Sequence, residues 1–284
     1  MPGRKLIVGM VALVVLLILG VFLTPMKWSV LGMKAKVGFI GAHTTASLED
    51  SSDPGYMKLR DYLRNKGYEA VQVTTPRITL ADLQAYDVCI LFAPETELTM
   101  DEIDAIHGYV QDGAGFLICG TGWAQERLAY TNNITDDWGF ELMNTRAYDP
   151  EQTTTDYGVS STQFTVAALG LVKGNPIAGR ITYPFVVRNS ATIRITDTSK
   201  VTAAITLAGF AFGEDFSHQD LKPNRQHGEP VGEEAIIAVN GQFGNGRVVG
   251  LGDHDLYTNQ WLFQAKPAEN ARSMILFLDW LTGQ

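Results

Sequence analysis

An α/β domain built on a mostly parallel sheet is predicted for most of this chain by three observations. From Lys36 onward, short apolar runs alternate with amphipathic segments, the rhythm of strands joined by crossover helices. Helix-start signals stand where those segments begin, and a glycine-rich helix end leads straight into a buried-strand pattern.

In chain order, "KVGFIG" reads as the first strand and Pro54 to Lys66 as a helix, with Asp53 able to cap it and Pro54 at its first position. "EAVQVT" follows as a strand, Leu80 to Tyr86 as a short helix and "DVCILFA" as the third strand. Thr99-Met100-Asp101-Glu102 has the form of a capping box, and Ile103, Ile106 and Val110 form the apolar stripe of the helix it opens. "QDGAG" ends that helix, "FLIC" is the next buried strand, and "GTGWAQERLA" turns into another helix. Residues 144–163 are polar, threonine-rich and without period, so a long surface loop is expected. "RITYPFVV", "ATIRIT" and "VTAAITLAGFAF" are β-rich, a charged loop is expected from Gly213 to Glu234, and "NGQFGNG" suits a tight reversal between antiparallel strands. Ala268 to Leu281 closes the chain as a helix with Ala271, Met274, Ile275, Leu278 and Leu281 on one face.

The 284 residues, 45% of them hydrophobic and 19% charged, suffice for a sizeable core. A formal net charge of -9 repels phosphate backbones, which excludes general nucleic-acid binding. The uncharged stretch Leu6 to Thr24 spans roughly 28 Å as a helix, enough to cross a bilayer, and no convincing cleavage site follows it. A retained single-pass anchor is therefore expected, with residues 1–35 as anchor and juxtamembrane segment and 36–284 as the α/β domain. Arg4 and Lys5 before the span and Lys27, Lys34 and Lys36 after it barely discriminate orientation; an extracytoplasmic domain follows from the usual signal-anchor arrangement. Trp28 then lies at the membrane interface, and Trp138 and Trp280 in the core. Asn133-Ile134-Thr135 has the form of a glycosylation acceptor. Two cysteines, Cys89 in mid-strand and Cys119 at a strand end, give no disulfide framework.

"KLRDYLRNKGYEA", "LQAYDVCILFAPETELTMDEIDAIHGYVQDGAGFLI", "VKGNPIAGRI", "GQFGNGRVVGLGDHDLYTN" and "ENARSMILFLDWLTG" together resemble the class I glutamine-amidotransferase-like domain of the gliding-motility and intraflagellar-transport type, whose membrane-anchored relatives include domains of unknown function. The resemblance implies a flavodoxin-like three-layer sandwich without amidotransferase activity. It also implies a binding role in membrane assemblies, often beside ABC transporters, with a small ligand, polysaccharide or partner subunit recognised near the membrane.

A cysteine-dependent amidohydrolase using Cys119 and His254 is the competing expectation, since a thiolate needs a neighbouring base or a helix N-terminus. Against it, Cys119 is followed by Gly-Thr-Gly, a longer turn than the amidotransferase elbow, and the acids Asp253 and Asp255 adjoin His254 instead of standing two residues away. Gly120 and Gly122 before a helix suit an anion at its N-terminus, but the dinucleotide fingerprint is missing, and no cofactor is expected. His43, His107, His218, His227 and His254 lack metal-site spacing; Asp253 and Asp255 with backbone oxygens are the weaker alternative for a hard cation. His107 reads as solvent-facing or partly packed. In an open parallel sheet, ligands bind outside the carboxyl ends of the strands, where residues 42–44, 94–96, 120–122 and 253–259 should gather. The expected site is therefore His43, Glu95, Gly120, Gly122, Asp253, His254 and Asn259, against the plainer reading of a solvated rim in which Asp253 and Asn259 hold the turn before the last helix.

Overall fold

The parallel half of the sheet follows the expected rhythm closely. A computed structural model describes residues 33–122, 124–151, 165–168, 170–182, 185–215, 217, 221–263 and 270–284. The anchor expected at residues 6–24 and Trp28 lie outside them; among the described residues no helix is long and apolar enough to cross a membrane. The chain divides into two units, Met1–Lys34 and Ala35–Gln284, and the α/β domain is the second.

Strands β1 (Ala35–Ile40), β2 (Tyr68–Val73), β3 (Val88–Phe92) and β4 (Gly115–Cys119) alternate with helices α1 (Met57–Asn65), α2 (Leu80–Leu83) and α3 (Met100–Gln111). Helix α4 (Gln125–Thr135) follows β4; β13 (Ile236–Phe243), β14 (Gly246–Leu251) and α5 (Asn270–Thr282) close the domain. Between them lie the short strands β5 (Phe140–Leu142), β6 (Thr145–Tyr148), β7 (Thr165–Ala168), β8 (Gly170–Leu171), β9 (Phe185–Arg188), β10 (Ile193–Ile195), β11 (Val201–Thr206) and β12 (Phe212–Asp215). The main sheet has the order β2-β1-β3-β4-β14-β13-β10-β5, with β11 on β13 and β8 on β11. β2, β1, β3, β4 and β14 run parallel; β13, β10, β5, β11 and β8 pair antiparallel. The sheet is thus mixed, because the reversal at Gly244 (φ +62) and Asn245 sends β13 and β14 past each other as a hairpin.

Helices cover both faces. Val88, Ile90 and Phe92 pack with Leu59 and Leu63 of α1 and Met274, Phe277 and Leu278 of α5. Cys89 and Leu91 pack on the other side with Leu83 of α2, Ile103 and Ile106 of α3, and Leu128 and Ile134 of α4. The strict alternation of side chains along a strand puts Cys89 and Cys119 in opposite layers, and both are free. Trp138 is fully buried, whereas Trp280 is half-buried under the Arg247 guanidinium, 4.7 Å from its ring.

Several expectations change. Residues 145–148 of the expected loop form β6, paired with β12, while residues 152–164 lie outside the described set. β12 likewise takes the start of the charged loop expected from Gly213. Helix α1 starts at Met57 with Tyr56 as a cap that makes no side-chain bond, so Asp53 and Pro54 belong to the preceding turn. That turn is folded too tightly to extend the helix, since a Cβ on Gly55 would lie 2.2 Å from the Asp50 carbonyl oxygen. The capping box at Thr99 and Glu102 forms as expected. His107 is buried instead of solvent-facing, its Nε2 2.8 Å from the Ile134 carbonyl and its ring beside Trp138 and Phe243. The acceptor triplet lies at the end of α4, with Asn133 exposed and Thr135 buried.

Candidate functional site

The ends of β1, β3, β4 and β14 are neighbours in the parallel half, so the four expected loops do meet along one edge. Strand order reverses between β1 and β3, where a crevice would open. Here it is stitched shut. The Glu95 N–H donates to the His43 carbonyl at 2.6 Å, and the Thr45 hydroxyl donates to Glu95 Oε1 at 2.7 Å. The His43 ring bridges Thr96 Oγ1 at 2.8 Å through Nδ1 and Glu102 Oε1 at 2.9 Å through Nε2. A carboxylate only accepts, so Nε2 carries the proton in that bond. These contacts hold His43 in the left-handed region at φ +65, a conformation that costs a non-glycine residue about 1 kcal/mol.

Burial alone would raise the Glu102 carboxyl. Donors from His43, the Thr99 and Ile78 amides and the Thr99 hydroxyl outweigh it and bring the group down to about 2. Glu102 is thus the ionised post on which His43 is fixed, and His43 serves as wall more than as contact.

Four more of the expected residues are occupied by the protein's own contacts. The Gly120 N–H donates to Leu251 at 2.7 Å and the Gly122 N–H to Asn189 at 2.6 Å, which leaves neither amide for an anion. Both glycines are needed for close approach: a Cβ on Gly120 would meet the Leu142 side chain at 1.9 Å, and one on Gly122 would meet three backbone atoms at 2.6 to 2.7 Å. Asp253, buried, accepts the Arg188 N–H on Oδ2 and the Asp255 N–H on Oδ1, both at 2.7 Å, so its oxygens tie β9 to the turn instead of facing a cation. Burial pushes its carboxyl up, with the Asp255 charge adding to the shift. Asn259, also buried, caps α1 from across the domain: Oδ1 accepts the Lys58 N–H at 2.7 Å, while Nδ2 donates to the carbonyls of Asp50 at 2.8 Å and Ser52 at 2.7 Å. The plainer reading of Asp253 and Asn259 as turn-holders describes them well.

Cys119 is fully buried at the end of β4. Burial and then the Asp253 charge drive its thiol well above the ordinary value, the opposite of an activated nucleophile. His254 faces Tyr56, whose hydroxyl lies 2.6 Å from Nδ1. Burial, with Asp255, Cys119, Asp253 and Glu95 adding, keeps that phenol protonated, so it donates to Nδ1 and leaves the imidazole proton on Nε2. Burial lowers the His254 pKa, opposed by Asp255 and assisted by Arg127, which favours the neutral ring. Its Nε2 has no hydrogen-bond partner among the described residues.

Beside it lies a residue that sequence reasoning passed over. Arg127, in the first turn of α4, places Nη2 3.1 Å from Glu95 Oε1; the two side chains are 31% and 26% exposed. Glu95 Oε2 and the remaining Arg127 donors are unengaged among the described residues. Arg127 was legible only through topology, since the first turn of a helix that follows a parallel strand returns to the carboxyl edge. Among the described residues no group of three His, Cys, Asp or Glu is arranged to hold a metal ion.

Fold and edge together define an α/β domain with helices on both sheet faces and a small charged cluster outside the parallel strands. The chain belongs to a family described as a domain of unknown function, DUF4350, whose model matches residues 49–275. Among solved structures it is similar to the mmIFT52 N-terminal domain, with a TM-score of 0.63 and 16% identity over 87% of this chain and 97% of that one. It is also similar to the cytoplasmic protein STM3548 from Salmonella typhimurium, with a TM-score of 0.55 and 12% identity over 87% of this chain and 99% of that one. A ThuA-like protein from Bacteroides uniformis gives 0.51 and 13% over 90% and 94%. Among curated proteins, none matches. At such identities the likeness concerns the fold alone, and there it agrees with the α/β class expected from the sequence.

Proposed function

We propose that this chain is a non-enzymatic, membrane-anchored binding domain of flavodoxin-like design, in which Glu95, Arg127 and His254 recognise a polar ligand or a partner subunit. One observation carries the reading: three partly exposed side chains on the carboxyl edge retain unused hydrogen-bonding atoms, an acceptor on Glu95 and donors on Arg127 and His254. The neighbouring His43, Asp253 and Asn259 are spent on holding loops, so the cluster stands on a rigid frame. Burial of Cys119 weighs against the alternative of a cysteine-dependent amidohydrolase. The apolar stretch at residues 6–24 supports the anchor and an extracytoplasmic domain, and the amidotransferase-like resemblance supports an accessory place in an ABC-type transport system.

The full chain is expected to stay with membranes through alkaline extraction and, in mild detergent, to retain transporter subunits. The Glu95→Ala/Arg127→Ala double variant should keep wild-type stability within about 0.5 kcal/mol, as exposed ion pairs contribute little, yet lose that capture at least tenfold. Equal capture by the two proteins would remove the edge from the binding role.

A further inference from the structure

A cleft opens on the same edge, over the ends of β1 and β2, and none of Glu95, Arg127 and His254 lines it. Its volume is about 470 Å³, and its walls are residues 41–47 and 72–76. That size lies within the usual range for small-ligand sites. Five hydroxyl side chains line it, those of Thr44, Thr45, Ser47, Thr74 and Thr75, and no Asp, Glu, Lys or Arg does so.

The cleft is also rigid. Gln72 is pinned by three bonds: Nε2 donates to Phe39 at 3.2 Å and Ala46 at 3.5 Å, and Oε1 accepts the Leu48 N–H at 2.8 Å. Gly41 lets the walls close up, because a Cβ there would lie 2.8 Å from Gln72 Nε2 and 2.9 Å from the Val73 carbonyl oxygen. His43, in its left-handed conformation, is locked through both ring nitrogens. Backbone strain of this kind gathers at ligand sites, where the surroundings enforce it.

Unused hydrogen-bonding capacity remains on the walls. Thr44 accepts the Ala46 N–H and keeps its proton to donate; Thr45 donates to Glu95 and keeps its lone pairs. Thr74 and Thr75 have no partner among the described residues. Adjacent donors and acceptors without a formal charge match vicinal hydroxyl groups, each of which gives and accepts a hydrogen bond. An ionic ligand would find no counter-charge, and an anion would meet the repulsion of a chain with net charge -9. From this we infer that the cleft binds a neutral polyhydroxylated ligand, a saccharide unit.

The test is saturation-transfer NMR on the detergent-solubilised full chain with maltose, cellobiose and, as the anionic counterpart, glucuronate. Maltose or cellobiose should bind at millimolar concentration and weaken at least fivefold in Thr74→Val/Thr75→Val, which keeps side-chain shape at two positions outside the core. The inference is overturned if neither neutral sugar binds up to about 50 mM, roughly -2 kcal/mol of affinity, or if the double variant binds equally well. Binding of glucuronate alone, lost in Arg127→Ala, would likewise reject this cleft while supporting the charged cluster.

Discussion

Replacing Asn259 with alanine is expected to lower the unfolding free energy by about 3 kcal/mol, read from urea unfolding of the purified chain. Three bonds vanish together: the Lys58 amide loses its acceptor, and the Asp50 and Ser52 carbonyls lose a shared donor. Buried polar groups left unpaired cost about 1 to 3 kcal/mol each; the exposure of Asp50 and Ser52 to water on one side keeps the sum near the lower end. The loss should localise, with amide exchange rising first in residues 50–58. Asn259→Asp keeps the acceptor for Lys58 but turns an oxygen toward two carbonyls, so it should fall between the parent and alanine. A change under about 0.5 kcal/mol in Asn259→Ala would show that the clamp is dispensable and return Asn259 to the ligand contacts.

Gly122→Ala is expected to cost about 3 kcal/mol, for a different reason. The new methyl would lie 2.6 Å from the Thr145 oxygen and 2.7 Å from both the Ala191 nitrogen and the Asn189 oxygen. These are backbone atoms of two separate segments, so no side chain can swing away, and overpacking of this kind costs about 1 to 3 kcal/mol or more. Gly179→Ala is the control: nothing lies within 4 Å of its Cβ position, and its stability should stay within about 0.5 kcal/mol of the parent. Thermal denaturation of the two variants side by side separates a structural glycine from an anion-binding one, which would tolerate the methyl in the absence of ligand.

The parallel half was legible in the sequence because its signals are local. Thr99 and Glu102 form their capping box within four residues, and the apolar runs of β1, β3 and β4 need no partner to be recognised. The antiparallel half was harder, since β5, β6 and β12 have three or four residues each, too few to show a period, and their identity comes from distant pairing such as Leu142 with Ile193. Pro54 misled for a related reason: a start signal adjacent in sequence lost to a cap from Asn259, 201 residues from Lys58. At the site, Glu95 and His254 were legible as polar residues just past apolar strands. Arg127 was not, because a charged residue on an amphipathic helix ordinarily faces solvent, and only the strand order brings it to Glu95.

Whether this edge binds without covalent chemistry turns on Cys119. Iodoacetamide labelling of the native chain between pH 6 and 9, with adduct positions read by mass spectrometry, tests it directly. A thiol pKa raised by burial leaves too little thiolate for reaction in this window, so Cys119 should remain unmodified for hours and label only after denaturation. Rapid stoichiometric labelling of Cys119 near pH 7 in the folded protein would contradict the binding account and make a thiol enzyme of it.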